Sequence, residues 1–528
     1  MSPANTALRH APMAQAEVRD ALRVLLVASE IYPLAKTGGL ADVCAALPRA
    51  LQGCGVDVRL LMPGYPSALD QLRSPQVFAQ LPALLGVDDL RIISGEMPDS
   101  GLPVWLLDSK RLFGRPGSPY QAGDGHDWPD NALRFGVFCR AAAEIAFGAA
   151  GIDWQPHIVH CHDWHSGLVP LYLREAERAA PRSLITIHNA SFQGNFPLSI
   201  APQLGLPERL LTLDGVEFFG QLSFLKAGIR YADGITTVSP TYARELCTAE
   251  FGCGLEGLLR QRRDALVGVL NGIDTELWDP ATDPHLAQHY SVSNRQGKER
   301  CKVELQQQLG LEANPQRPLA TMVSRVTRQK MADIVLEQLP QLLEQHPDLQ
   351  FGMLGQGDRD LEQGYVELAA RFPGRVAARI GYDESDAHRM HAGADILVHG
   401  SRFEPCGLAQ MYAMRYGSLP IVRRVGGLAD SVVDADAKAA DEAEPGNGFT
   451  FDEASGAALQ SAVARTLDHY QRRRERWHHL QGQAMRADFG WQRSAQRYVE
   501  VFDRLLRGEP LQAAATGAAG NVTPLRAA

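Results

Sequence analysis

Short β-branched apolar runs alternate with longer helical stretches along almost the whole of this 528-residue chain. The apolar runs are continuous, which marks strands buried on both faces of a parallel sheet with helices laid over it. A first series places strands at residues 24–29, 56–62, 104–108, 158–161, 184–188, 235–239 and 267–270, with helices at 40–54, 131–149, 167–179, 223–231 and 240–245. A second series places strands at 319–324, 350–354, 376–380, 396–398 and 419–422, with helices at 333–344, 359–371, 384–392 and 408–416. Residues 274–297 between them are polar and broken by prolines, so a hinge is expected near 271–284. A late helix at 491–506 spaces Ala495, Tyr498, Val499, Phe502, Leu505 and Leu506 along one face and is placed to cross back and brace the first domain. The expected fold class is α/β, with two Rossmann-like doubly wound domains facing across a cleft. The expected division is 22–272, 273–490 and a bracing helix at 491–508, with a disordered leader at 1–21 and a disordered tail at 509–528.

Composition narrows the function. Hydrophobic residues at 45% and charged residues at 21% exclude a disordered chain, a coiled coil and a fibre. The net charge of −9 offers no bulk basic surface for nucleic acid or an anionic membrane, so neither is expected as a partner. The eight cysteines are scattered and form no C-x-x-C pair, which argues against zinc ribbons and thiol redox chemistry and suits reduced thiols. No apolar run of about 18 residues is present, and the N-terminal stretch lacks the apolar core of a signal peptide. A cytoplasmic location is expected.

Ligands of doubly wound sheets bind beyond the carboxyl ends of the strands, and the unusual residues of this chain lie there. Lys36, Thr37, Gly38 and Gly39 follow the first strand and open a helix. Paired glycines let a ligand reach the backbone, and a helix start suits phosphate. A plain turn with a helix cap would look the same. The segment is not G-x-G-x-x-G, and Gly355, Gln356, Gly357 lacks the third glycine, so a standard nicotinamide fold is disfavoured. His160, Cys161, His162, Asp163, Trp164 and His165 end another strand. Strand alternation sends His160 and His162 to one face and Cys161 to the other, and no second ligand cluster has metal spacing, so hydroxyl-rich ligands suit the segment better than zinc. His188 and Asn189 end the next strand and can hydrogen-bond sugar hydroxyls. Ser324, Arg325 and Lys330 follow the first strand of the second series, where a guanidinium fork and a compact ammonium can neutralise a diphosphate. Glu404 precedes a Pro-Cys-Gly turn whose Cys406, Gly407 and Leu408 can offer backbone N–H groups, and Gly426 and Gly427 repeat the glycine pair after another strand. A carboxylate at 404 can fix sugar hydroxyls or face positive charge developing on an anomeric carbon.

The ordered set KTGGLADV (36–43), RPGSPY (115–120), HDWHSGL (162–168), TIHNASFQG (186–194), SFLKAGIRYAD (223–233), VSPTYARE (238–245), VLNGID (269–274), SRVTRQK, SRFEPCGL and VGGLAD resembles the bacterial glycogen synthase and plant starch synthase family from about residue 23 to 500. The resemblance implies a GT-B fold and retaining transfer of glucose from ADP-glucose to the non-reducing end of an α-1,4-glucan, with no cofactor and no metal. It implies that Lys36, Gly38, Gly39, Arg325 and Lys330 bind the diphosphate, with Thr37, Asp42 and Ser324 beside them. The amides of Cys406, Gly407, Leu408, Gly426 and Gly427 would hold the donor, and Tyr382 would lie against adenine. His188, Asn189 and Asn271 would line the glucose pocket, Glu404 would bind sugar hydroxyls, and Asp163 and Trp164 would meet the acceptor. Glu404, Arg325, Lys330, His188 and Asp163 are the catalytic candidates. Retention by a covalent carboxylate and retention by front-face attack both stay open.

Departures from the family pattern are Gly400 for proline, Met331 for glycine, Ala409 and Val425 for threonines, and Tyr412 where broader retaining transferases carry a second glutamate. The competing readings are a related transferase with another nucleotide-sugar or acceptor, such as one making maltose-1-phosphate, a catalytically silent glucan-binding protein, and a PLP-dependent phosphorylase.

Overall fold

The computed structural model describes residues 21–437 and 446–512, so the expected leader and tail lie almost wholly outside the described residues. The first half builds a nine-stranded sheet. Its order from one edge is Leu266–Gly268, Gly234–Thr237, Arg182–Ile187, Ile158–His162, Arg23–Val27, Asp57–Pro63, Pro103–Asp108, Arg91–Glu96, Arg73–Gln80. The first seven of these run parallel; Arg91–Glu96 and Arg73–Gln80 pair antiparallel at the far edge. The second half builds a six-stranded, all-parallel sheet in the order Val376–Ile380, Gln350–Gly355, Leu319–Val323, Ile396–His399, Leu419–Arg423, Phe449–Phe451.

Each sheet reverses its winding beside its first strand. In the first sheet Arg23–Val27 lies between Asp57–Pro63 and Ile158–His162; in the second, Leu319–Val323 lies between Gln350–Gly355 and Ile396–His399. Loops leaving such a pair in opposite directions open a crevice at the carboxyl edge. Residues 29–39 and 163–166 leave the first switch point, and 324–330 and 400–408 leave the second. The topology therefore brings the chemistry-bearing loops to the two mouths that face each other.

Several expected elements are trimmed. The helix expected at 131–149 ends at Ala146, and the one at 167–179 is confined to Val169–Glu175. The helix Pro240–Glu245 begins as its Ser-Pro pair implies: Ser239 Oγ accepts from Tyr242 N at 3.2 Å and proline fills the first helical position. The helix Trp491–Arg507 buries Trp491, Ala495, Tyr498, Val501, Phe502 and Leu505 in the core of the first domain, against Gly39–Gly53, while Leu506 points outward at 42% exposure. The chain thus crosses between the domains at two adjacent places. Ile273 N donates to Phe489 O at 2.8 Å, Ile273 bridges Gly490 in parallel, and a Cβ on Gly272 would stand 2.8 Å from the Trp491 backbone.

Opposite the cleft, Lys302 Nζ is buried and bonds Asp395 Oδ2 at 2.6 Å, Pro315 O at 2.8 Å and Tyr470 OH at 3.0 Å, while Asp395 Oδ2 also accepts from Leu319 N at 2.8 Å. This pair ties the helix Gln296–Gln308 to the start of two central strands. Removing one partner strands a buried charge, so Asp395→Ala is expected to cost about 3–5 kcal/mol in denaturant unfolding. Among the described residues no helix is long and apolar enough to cross a membrane.

Candidate active site

At the mouth of the second sheet Glu404 is buried and paired with Lys330. Ser401 Oγ donates to Glu404 Oε2 at 2.8 Å, and His399 Nε2 stands 3.5 Å from the same oxygen. Burial alone would raise the Glu404 carboxyl, but Lys330 and His399 outweigh it and hold it well below the usual carboxylate range. Burial in turn lowers His399, which is therefore neutral. His399 was not anticipated; it ends the apolar run ILVH and reads there as one more strand residue. Arg325 is exposed, bonded to Gln329 Oε1 at 2.9 Å, and forms no ion pair among the described residues, so its charge is open to a ligand. Ser324 is half-buried beside it, its hydroxyl turned to the Arg325 carbonyl at 3.2 Å.

Across the cleft Lys36 bonds Asp42 at 2.8 Å and stands 3.9 Å from Glu384 of the second domain, two residues after the exposed Tyr382. Burial lowers the Lys36 ammonium, but Asp42 and Glu384 more than restore it and leave it raised. A Cβ on Gly38 or Gly39 would meet nothing within 4 Å, so the backbone there faces open space. Thr37 is held from below by Glu30, whose carboxylate accepts its N–H and its hydroxyl and a further bond from Tyr120 OH at 3.1 Å. Glu30 escaped the sequence reading, although an acid directly after the run VLLVAS is itself a signal; its burial raises its pKa.

The second glycine pair works differently from the first. A Cβ on Gly426 would fall 1.8 Å from Glu404 O, and one on Gly427 2.2 Å from Cys406 O. These glycines let two segments of the same domain touch, where ligand access had been the expected reason. Gly427 N donates to Glu404 O at 3.1 Å. Gly426 N donates to Glu245 Oε1 of the first domain at 2.9 Å, and Asp430 receives Thr241 N at 2.7 Å and Thr241 Oγ1 at 2.6 Å. Ser239 Oγ donates to Pro405 O at 2.7 Å. The two domains are thus latched next to Glu404. Gly407 takes φ +70° in the turn that buries Cys406, whose thiol burial pushes up to about 12, and Leu408 packs against the core of the first domain.

In the first sheet His188 is half-buried at its strand end, with burial lowering it to about 3, so the ring is neutral. Its Nε2 lies 2.9 Å from His162 Nδ1, and His160 and His162 share one face with ring centroids 4.2 Å apart, as strand alternation requires. Asn189 Oδ1 accepts from Ser191 N at 3.0 Å and shapes the turn that follows. Asn271, expected in the glucose pocket, is buried with its Oδ1 unpartnered. Asp163 and Trp164, expected at the acceptor, are placed as supports. Asp163 is buried and accepts from His188 N at 2.7 Å, and burial raises it to about 7 against the pull of the His188 and Asn189 amides. Trp164 is packed among Phe135, His165, Phe196 and Phe224, and a Cβ on Gly194 would lie 2.3 Å from its ring. Among the described residues no group of three or more His, Cys, Asp or Glu is arranged to hold a metal ion.

Three departures find reasons in packing. Met331 adopts φ +54° at the entry to its helix, a left-handed conformation that costs a non-glycine residue about 1–2 kcal/mol. Its side chain is fully buried, and a Cβ on Gly400 would stand 3.2 Å from its sulfur. The two exceptions are therefore one: methionine at 331 fills the space that glycine at 400 leaves. Tyr412 stacks on Trp278 at 3.8 Å, with His388 on the other side at 3.8 Å, so it is a core ring in the place of a second carboxylate. Nothing in the structure explains Ala409 or Val425.

The family described as starch synthase catalytic domain matches residues 23–261, and that described as glycosyl transferases group 1 matches 306–479. The glycogen synthase of Burkholderia thailandensis is 59% identical over 91% of this chain and 90% of its own length; that of Thioalkalivibrio sulfidiphilus is 47% identical over 92% and 100%. Among solved structures, the catalytic domain of starch synthase IV from Arabidopsis thaliana, bound to ADP and acarbose, superposes with a TM-score of 0.82 at 33% identity, covering 92% of this chain and 100% of that one. Sucrose-phosphate synthase from Thermosynechococcus elongatus, at 18% identity and TM-score 0.54, shares the fold. The architecture is GT-B, and the chain belongs to the bacterial glycogen synthase family, enzymes that transfer glycosyl groups.

Proposed function

We propose that this enzyme transfers glucose from ADP-glucose to the non-reducing end of an α-1,4-glucan with retention of configuration. The observation that carries the reading is the buried Lys330–Glu404 pair at the second switch point, beside the contact of Ser239 with Pro405 across the cleft, with Arg325 in no ion pair among the described residues and Lys36 reaching toward Glu384 from the opposite wall. The binding of ADP and acarbose by the starch synthase relative supports an ADP-bearing donor and a sugar acceptor.

In this reading the second domain, 273–490, takes the donor and the first, 22–272, takes the acceptor and lends the Lys36 loop, with the helix at 491–508 as brace and a hinge at 271–284. Leaving-group charge builds on the diphosphate, where Arg325 and Lys330 stabilise it and Thr37, Gly38 and Gly39 offer backbone from the opposite wall. Asp42 holds Lys36 extended toward the same place. The amides of Cys406, Gly407 and Leu408 and the side chain of Ser324 border the donor, Gly426 and Gly427 shape the wall behind them with their amides engaged by Glu245 and Glu404, and Tyr382 stacks against adenine. Glu404, kept ionised, meets the sugar hydroxyls and the positive charge developing at the anomeric carbon, with His188, Asn189 and Asn271 around the ring. Asp163 and Trp164 act on the acceptor side by holding the turn that carries His188. Lys330 and Ser401 engage Glu404 Oε2 and set the carboxylate's orientation, and we read retention as front-face attack with the departing phosphate taking the acceptor proton. All eight cysteines are unpaired, which suits the reducing cytoplasm in which we place the enzyme.

The test is a donor comparison with glycogen as acceptor. ADP-glucose is expected to turn over with kcat/KM at least about tenfold above UDP-glucose, one good hydrogen-bond network's worth of discrimination. Inertness of ADP-glucose, or transfer to glucose-1-phosphate in place of glycogen, would sink the reading.

A further inference from the structure

We propose that His162 is a positioning residue that fixes the tautomer of His188, so that His188 presents Nδ1–H to the sugar pocket as a hydrogen-bond donor. The two residues end neighbouring parallel strands, in which His162 pairs in register with Thr186. Their contact, His162 Nδ1 to His188 Nε2, is 2.9 Å. Burial keeps both rings uncharged, and Asp163, the carboxylate beside them, is turned to the backbone N–H of His188.

A neutral imidazole carries one N–H and one bare lone pair. Across the contact one ring must therefore donate and the other accept, and the choice sets both tautomers together. The deciding atom is His162 Nε2, which is buried without a partner. With the proton on Nε2, His162 would leave an N–H orphaned in the interior. With the proton on Nδ1, only an unshared pair is left there, and buried donors without partners are the rarer and costlier case. The favoured arrangement is thus His162 Nδ1–H donating to His188 Nε2. The remaining proton of His188 then sits on Nδ1, which, of the pair's four ring nitrogens, is the one neither bonded across the contact nor among the buried, unpartnered atoms. His188 would give a hydrogen bond to a sugar oxygen, and could not accept one from a sugar hydroxyl. The tautomer follows from the contact, the buried unpartnered Nε2 of His162 and the burial that keeps both rings neutral; its contact with sugar rests on the function proposed above.

Two arms test it. In enzyme labelled with ¹⁵N-histidine, long-range ¹H–¹⁵N correlations report which ring nitrogen carries the proton, with His188 assigned by the signals lost in His188→Gln and His162 by those lost in His162→Asn. The expected result is protonated Nδ1 and bare Nε2 on both rings; protonated Nε2 on His188, or a doubly protonated ring, overturns the proposal. In the kinetic arm, His162→Asn keeps an N–H at the δ position and is expected to stay within about threefold of the wild type in kcat/KM for the donor. His162→Leu removes it and is expected to lose roughly tenfold with the glucan KM unmoved. Equal losses in the two variants overturn the positioning role. The spectra read the tautomer and the rates read the sugar contact, so failure of one is distinguishable from failure of the other.

Discussion

Replacing Glu404 with alanine is expected to lower kcat by about 10²–10³-fold, the scale of removing one preorganised charge from a buried site. Lys330, Ser401 and His399 jointly surround this carboxylate at the second switch point, where it is placed to face an oxocarbenium-like carbon. The variant also leaves the Lys330 charge without its partner, so folding must be checked alongside turnover. Glu404→Gln separates the two effects, because it keeps the shape and the bond from Ser401 and removes only the charge. A folded Glu404→Gln enzyme with wild-type kcat would refute the assigned role.

Lys330→Met should produce a comparable loss and, in addition, a new pH dependence. In the wild type Lys330 outweighs burial and holds the Glu404 pKa below its ordinary value, so the ionised form persists well into acid. A depressed carboxyl contributes stability that is present above its unfolded pKa and lost only as pH falls through the folded one. Without the ammonium, burial dominates and the pKa rises, which reverses the sign: the active ionised form is lost at a higher pH than before. The variant's kcat should therefore climb with pH in a range where ionisation of Glu404 is already complete in the wild type. The plateau it reaches at high pH should remain about 10²-fold low, since the diphosphate has lost a cation there. A profile parallel to the wild type would show that Lys330 does not govern Glu404.

Much of this arrangement was legible before any coordinates. Continuous apolar runs announced the parallel strands, and of the residues at their carboxyl ends Lys36, Arg325, Lys330 and Glu404 lie in the loops that leave the switch points, with His188 one strand further along the first sheet. What escaped shares a physical cause. Arg73–Gln80 is polar and mostly exposed, and only its antiparallel partner makes it a strand. His399 hides in an apolar run, and Glu30 has no charged neighbour in sequence to flag it. Glu245 and Asp430 acquire meaning only from groups across the cleft, Gly426 N and Thr241, which no local pattern encodes. The pairing of Met331 with Gly400 is invisible until both are seen to share one space.

The doubled crossing at Ile273 and Gly490 has a mechanical consequence. A single strand joining two bodies is a swivel, free in bend and twist alike. Two strands bridged side by side are a strap, which bends across its width and resists torsion. Each time the jaws reopen to discharge one nucleotide and admit the next, the donor domain should swing along one arc and return along it. Glu245 then meets Gly426, and Lys36 meets Glu384, in the same alignment on every cycle. Repeatable closure of this kind returns the reacting groups to the same placement, turnover after turnover.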